Sequence, residues 1–292
     1  MKIIRAEAMG MCFGVRDALG VTRRIADPAS VTIHGELVHN PRVVRELSAR
    51  GFTVLDETER RDATPATPRV MITAHGISER ERKRLEERGH ELIDTTCPLV
   101  RRAHAAACKL ARMGCLVLVI GRRGHVEVEG LTGDLERCEV VQSAAEVRAY
   151  DAPRLGIVCQ TTTAPAVANQ IVDRIKELNP DREIHLIATI CRPTLDRQAA
   201  VRSLLGRVDA LVVVGGRRSN NTRQLAGLAE AAGKPWLHVE GPDELQPEWF
   251  ADFESVGLTA GTSTPDDVIG AVHQRLRAIA AAHEKDQLPE AM

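Results

Sequence analysis

Residues 184–201, IHLIATICRPTLDRQAAV, decide the fold. They read as a short apolar strand, a Thr-x-Cys turn holding Cys191, and a helix carrying Arg197 and Gln198. The order recurs twice upstream. ELIDTTCPLVRRAHAAACKL sets Cys97 at a strand-to-helix junction, and KIIRAEAMGMCFGVRDAL does the same for Cys12. Three cysteines at near-equal intervals, each following a strand and opening a helix, predict three related α/β units meeting around one site.

Working outward, apolar runs predict further strands at 31–33, 69–73, 115–120, 155–158, 210–214 and 256–259, besides one at 2–6. Helices are predicted at 15–25, from Pro41 to 50, behind the capping Ser78, and up to 113, 178, 232 and 282. Alternating strands and helices predict parallel sheets. The expected domains are 1–96, 97–190 and 191–282, followed by a loose polar tail at 283–292. In such sheets the loops at the carboxyl ends of strands form the ligand crevice. Each unit offers three of them. The first loops hold Cys12, Cys97 and Cys191. The second hold His39, His125 and the run Ser219-Asn220-Asn221. The third hold His75, Thr161-Thr162 and Ser263.

Composition excludes several classes. At 292 residues and 43% hydrophobic, the chain is long and apolar enough for two or three domains with cores, and is not disordered. Lys plus Arg number 39 against 40 acidic residues, a net charge of −1, so no overall charge draws it to nucleic acid or membrane. No apolar run reaches about 18 residues. Arg5 and Glu7 interrupt any signal-peptide pattern at the start. The expected location is cytoplasmic and reducing, where seven cysteines do not read as a disulfide framework.

Three thiolates from three loops can hold a metal. A structural zinc takes a fourth protein ligand, and none is evident. An iron–sulfur cluster suits thiolates, and three cysteines on a four-iron cluster leave one iron without a protein thiolate. A lone cysteine is otherwise a small buried hydrophobe, the reading given to Cys108, Cys115, Cys138 and Cys159. Ser219, Asn220, Asn221 and Ser263 precede helices, whose N-termini suit phosphate. The same residue types also cap helices with no ligand at all. His39, His75 and His125 strengthen the anion reading, since imidazolium pairs with phosphate near neutral pH. Each taken alone is equally a loop hydrogen-bonder. Glu127, two residues beyond His125, can deliver protons if burial raises its pKa. Glu129 competes for that role, and the motif does not choose. The Arg pairs 101–102, 122–123 and 217–218 read as solvated charge, or as a dock for an acidic electron donor.

CFGV at 12–15, LVHNP at 37–41, AHGIS at 74–78, DTTCPLV at 94–100 and HVEVEG at 125–130 now fall into one order. QTT at 160–162, IC…RQ at 190–198, SNNT at 219–222 and AGTSTPD at 260–266 continue it. Together they resemble the 4-hydroxy-3-methylbut-2-enyl diphosphate reductase family across nearly the whole chain. The resemblance implies a three-lobed, pseudo-threefold α/β fold around a central [4Fe-4S] cluster held by Cys12, Cys97 and Cys191. It implies that His39, His75, His125, Ser219, Asn221 and Ser263 hold the diphosphate, with Asn220 standing where Ser is common. It implies a proton relay through Glu127 and Thr161. The family removes the substrate hydroxyl with two electrons and two protons, giving isopentenyl and dimethylallyl diphosphates, and draws electrons from ferredoxin or flavodoxin. This chain departs from the family pattern at Val126, Leu131, Arg192 and Pro193. Two other readings share the same residues: a paralogue acting on another allylic diphosphate, and a non-catalytic iron–sulfur sensor. A sensor has no need of the Glu127–Thr161 pair.

Overall fold

The computed structural model of the protein describes residues 1–60 and 63–286. The chain starts with strand β1 (Lys2–Arg5) and helix α1 (Phe13–Arg23). Next come β2 (Val31–Ile33), α2 (Pro41–Ala49), β3 (Thr53–Val54), β4 (Arg69–Ile72), α3 (Glu79–Glu87) and β5 (Glu91–Asp94). The middle run is α4 (Pro98–Arg112), β6 (Leu116–Ile120), α5 (Val126–Thr132), β7 (Cys138–Val141), β8 (Arg154–Cys159), α6 (Pro165–Leu178) and β9 (Glu183–Leu186). The last is α7 (Arg192–Leu205), β10 (Ala210–Val214), α8 (Asn220–Ala231), β11 (Trp236–Val239), β12 (Ser255–Ala260) and α9 (Asp266–Asp286).

These strands form three four-stranded sheets, ordered β3-β2-β4-β5, β7-β6-β8-β9 and β11-β10-β12-β1. Every pairing is parallel. The three orders are the same pattern, so the predicted repeat is present in the pairing itself. One difference concerns where the repeat starts. The sequence reading opens the first unit with the strand at 2–6. In the structure β1 pairs with β12, Lys2 opposite Ser255 and Arg5 opposite Leu258. The chain's beginning therefore completes its last sheet. Accordingly, one compact unit joins Met1–Cys12 to the chain from Arg192 onward, and the other is Phe13–Cys191.

Burial explains the arrangement within each unit. The inner strands β6 and β10 read LVLVI and ALVVV, and all five residues of β10 are buried. Strands covered on both faces have no polar side to alternate with. Within Phe13–Cys191, one face packs Leu118, Leu155 and Ile157 against Ile171 and Ile175 of α6. The other packs Val117, Val119 and Val158 against Leu110 of α4 and Leu131 of α5. In the other unit Val212, Val256 and Leu258 meet Val272 and Leu276 of α9, while Val213 meets Leu204 of α7 and Leu225 of α8. Each such side chain contributes roughly 1.5–3 kcal/mol when fully buried.

Helix starts follow the expected chemistry. Asn40 caps α2, its side chain accepting from the amides of Arg42 and Val43, with Pro41 first in the helix. Ser78 caps α3 by accepting from the Glu81 amide at 3.1 Å. Helix α9 runs to Asp286, past the expected boundary at 282, and residues 287–292 of the expected tail lie outside the described residues. Among the described residues no helix is long and apolar enough to cross a membrane.

Candidate active site

Each predicted site loop follows the carboxyl end of a parallel strand. Within Phe13–Cys191, His39 lies beyond β2, His75 beyond β4, and His125 beyond β6, where it caps α5. The three rings form one cluster. His39 stacks on His75 at 4.2 Å between centroids, and His125 sets its ring at right angles to both, at 5.0 and 5.6 Å.

Their Nδ1 atoms have different neighbours. His39 Nδ1 lies 3.0 Å from a carboxylate oxygen of Glu36. His125 Nδ1 accepts the Glu127 amide N–H at 3.1 Å, which leaves its ring proton on Nε2. His75 Nδ1 is buried without a hydrogen-bond partner. Burial holds both His75 and His125 well below the ordinary histidine range, and the nearby His39 adds to the effect.

The geometry separates Glu127 from Glu129. Glu127 is buried, and Thr161 donates to it twice: its amide to Oε1 at 2.6 Å and its hydroxyl to Oε2 at 3.0 Å. Burial pushes the Glu127 carboxyl up to about 7, against the opposing pull of the two Thr161 hydrogen bonds and of His39. Glu129 instead forms an ion pair with Arg60 at 2.7 Å. A cavity of about 280 Å³ lined by residues of α3, α4 and α5 touches both His75 and Glu127, so small molecules can approach the pair from that side.

The loops after β10 and β12 use other chemistry. Ser219 caps α8, its hydroxyl accepting the Thr222 amide at 3.3 Å, so the capping role seen in the sequence is real. Asn220 and Asn221 open that helix, both buried. Asn221 accepts the Thr262 amide at 3.0 Å, and its buried side-chain NH2 has no partner. Such a donor is costly to leave unmade, and a bound anion would satisfy it. Ser263 is buried in the β12 loop. Gly215 and Gly261 admit these loops to each other. A Cβ on Gly261 would lie 1.9 Å from the Thr222 hydroxyl, and one on Gly215 would lie 2.6 Å from it.

The seven cysteines divide by environment. Cys115 and Cys159 are buried, and burial raises the Cys159 thiol to about 12. Burial also raises the thiols of Cys108, Cys115 and Cys138. Cys12, Cys97 and Cys191 are partly accessible and end the turns after β1, β5 and β9, the equivalent edge strand of each sheet. Backbone bonds tie them to the site loops of their own units. The amide of Cys97 donates to Ala74, that of Cys191 to Thr161, and that of Cys12 to Thr262, at 3.0, 2.9 and 3.1 Å. Among the described residues no three His, Cys, Asp or Glu side chains converge on a single metal-ion position.

Four supporting residues escaped the sequence reading of the site. Glu36 contacts His39. Buried Arg60 bridges Glu57 and Glu129. Arg197, noted only as part of a motif, donates twice to the Gly10 carbonyl two residues before Cys12, at 3.0 and 2.5 Å. Gly14 packs on Cys97, where a Cβ would stand 2.5 Å from the sulfur. The Glu-x-x-His spacing of Glu36 and His39 is the one local signal among these.

Fold and loops define an α/β protein with a histidine cluster, a buried acid at neutral pKa and three strand-end thiols. The profile of the LytB protein family matches residues 3–277, and the chain belongs to that family. It is 35% identical over 286 residues to 4-hydroxy-3-methylbut-2-enyl diphosphate reductase 1 of Mycobacterium tuberculosis, covering 96% of this chain and 87% of that one. To the reductase of the same name from Aquifex aeolicus it is 34% identical, covering 95% and 96%. The solved E-1-hydroxy-2-methyl-but-2-enyl-4-diphosphate reductase of Plasmodium falciparum has the same fold, with a TM-score of 0.85 at 24% identity over 94% of this chain and 87% of that one. A solved (E)-4-hydroxy-3-methyl-but-2-enyl diphosphate reductase, described as the terminal enzyme of the non-mevalonate pathway, gives 0.64 at 34% identity, covering 95% and 100%.

Proposed function

We propose that this protein is an oxidoreductase of isoprenoid biosynthesis that removes the hydroxyl of (E)-4-hydroxy-3-methylbut-2-enyl diphosphate, giving isopentenyl and dimethylallyl diphosphates. The observation that carries the mechanism is the Glu127–Thr161 pair, a buried carboxyl held near pH 7 beside a cluster of three histidines. The names of relatives that cover nearly the whole chain support the substrate.

In this reading His39, His75 and His125 hold the diphosphate, together with Ser219, Asn220, Asn221 and Ser263. The unmatched NH2 of Asn221 is one donor with an open valence for it. Protonated Glu127 gives its proton to the substrate hydroxyl, with the Thr161 hydroxyl fixing the direction of transfer. The C–O bond breaks and water leaves. Two electrons enter the allyl unit, and a second proton ends the reaction. At the carbon that lost oxygen it yields dimethylallyl diphosphate, and at the far allylic carbon isopentenyl diphosphate.

Cys12, Cys97 and Cys191 would hold a [4Fe-4S] cluster. A cluster spreads its thiolates over separate irons, so three such ligands need not converge on one ion position. The partly accessible thiols at equivalent strand ends fit that demand, and the buried Cys115 and Cys159 do not. When bound, the cluster would supply the electrons and Lewis-acid chemistry toward the substrate oxygen. A ferredoxin or flavodoxin is the proposed electron donor.

The test is turnover under strict anaerobiosis, after reconstitution with iron and sulfide, with a reduced viologen and the allylic diphosphate. Dye oxidation with isoprenyl diphosphate products is expected. Cys191→Ser should lose the cluster absorbance and all turnover. An intact cluster in that variant would overturn the ligand assignment. A wild-type cluster with no substrate-dependent oxidation would favour an iron–sulfur protein without this activity.

A further inference from the structure

The proposed function uses the three histidines as one anion-binding set, yet their Nδ1 environments assign them different work. A neutral imidazole offers one N–H and one lone pair. His125 accepts an amide on Nδ1, so its neutral ring already presents an Nε2–H donor. His39 has the opposite arrangement. Its Nδ1 faces the Glu36 carboxylate at 3.0 Å, in a pocket where both side chains are largely covered. A ring that donates there while neutral would present only a lone pair on Nε2, which repels a phosphate oxygen.

We infer that Glu36 is a positioning residue that stabilises a second proton on His39, making His39 the one cation of the histidine cluster and its charged contact to the diphosphate. The inference rests on the diphosphate reading above. The surrounding groups agree with it. His39 faces Glu36 from its own loop, His75 at 4.2 Å and His125 at 5.0 Å. Glu57 and Glu127 also lie within its electrostatic reach. Arg60 bears on His75 and His125 as well, but is itself paired with Glu57 and Glu129. His75 and His125 are both driven toward the neutral form, with burial the main cause and His39 next. Three charged rings at these separations would repel strongly. One charged ring beside two neutral ones, anchored by a carboxylate, is the arrangement the contacts favour. A second carboxylate stands behind the first: Glu57 accepts the Glu36 amide at 2.8 Å and fixes the loop that carries it.

The test is calorimetric binding of inorganic pyrophosphate to the full-length protein, wild type and Glu36→Gln, at about pH 6 and about pH 8, in buffers of different ionisation enthalpy. Gln keeps an acceptor for Nδ1–H and removes only the charge. The variant should lose about tenfold in affinity at the higher pH, the step between a charge-assisted and a neutral hydrogen bond. It should come within about twofold of wild type at the lower pH, where solvent supplies the proton. It should also take up about one more proton per pyrophosphate bound than wild type at the higher pH. In a His39→Asn background, Glu36→Gln should change nothing further. An equal loss at both pH values without extra proton uptake, or additive effects of the two substitutions, would mean that Glu36 merely shapes the loop, and would overturn the inference. Failure of wild type to bind pyrophosphate would sink the anion site itself, and this assignment with it.

Discussion

The loops of residues 13–191 and those around Ser219 and Ser263 stand at the same stations of the same sheet pattern, but carry opposite chemistry. His39, His125 and Ser219 each follow the inner strand β2, β6 or β10. His75, Thr161 and Ser263 each follow its inner neighbour β4, β8 or β12. Two sheets place titratable rings and a titratable acid there. The third places hydroxyls and amides, which keep their hydrogen bonds at any physiological pH. One scaffold thus separates proton handling from fixed recognition. Substitutions in the first group should move pH dependences, and substitutions in the second should not.

The largest effect is expected at Glu127. Glu127→Gln should lower kcat by about 10²–10⁴-fold, the usual worth of a positioned acid. It should also abolish the fall in wild-type kcat as pH rises through about 7. Stability should change with it. Below 4.5 the carboxyl is neutral in both folded and unfolded chain. Between 4.5 and about 7 the unfolded chain gives up this proton first, so the folded state loses stability as pH rises. Thermal melts of wild type against the Gln variant across that window would show the slope, or its absence would refute the assignment.

Arg197 gives a smaller effect, on stability. Arg197→Met strips two charged hydrogen bonds from the Gly10 carbonyl and should cost about 1.5–3 kcal/mol in denaturant unfolding, with the pH midpoint of kcat unmoved. The smallest is Ser219→Ala. Losing the α8 cap should cost about 1 kcal/mol, equally at every pH. A shifted pH profile in that variant would break the division between the two groups of loops.

Much of this was legible from residues alone. The inner strands announced themselves because burial on both faces leaves unbroken apolar runs, as at β6 and β10. The site loops were legible because parallel strands end in them. The edge strands β3, β7 and β11 were not. They are two to four residues long and partly exposed, so no periodicity marks them. Helix α5 hid inside a loop motif, since seven residues carry too little pattern. Choosing Glu127 over Glu129 needed the Thr161 contacts, which span 34 positions in sequence. Arg197 reaches across 187 positions to Gly10, and no local rule anticipates such a partner.

The pairing of β1 with β12 has a consequence in time. Residues 2–5 are made long before the strand they hydrogen-bond to, which ends near residue 260. At roughly 5–20 residues per second, on the order of 10–50 s pass between the two. The two sheets of residues 13–191 use only strands made within that stretch and can assemble during synthesis. The third sheet cannot close until its own far end arrives. Cys12, translated long before β12, therefore finds its place only after β12 has been made, and any centre that depends on it is completed only then.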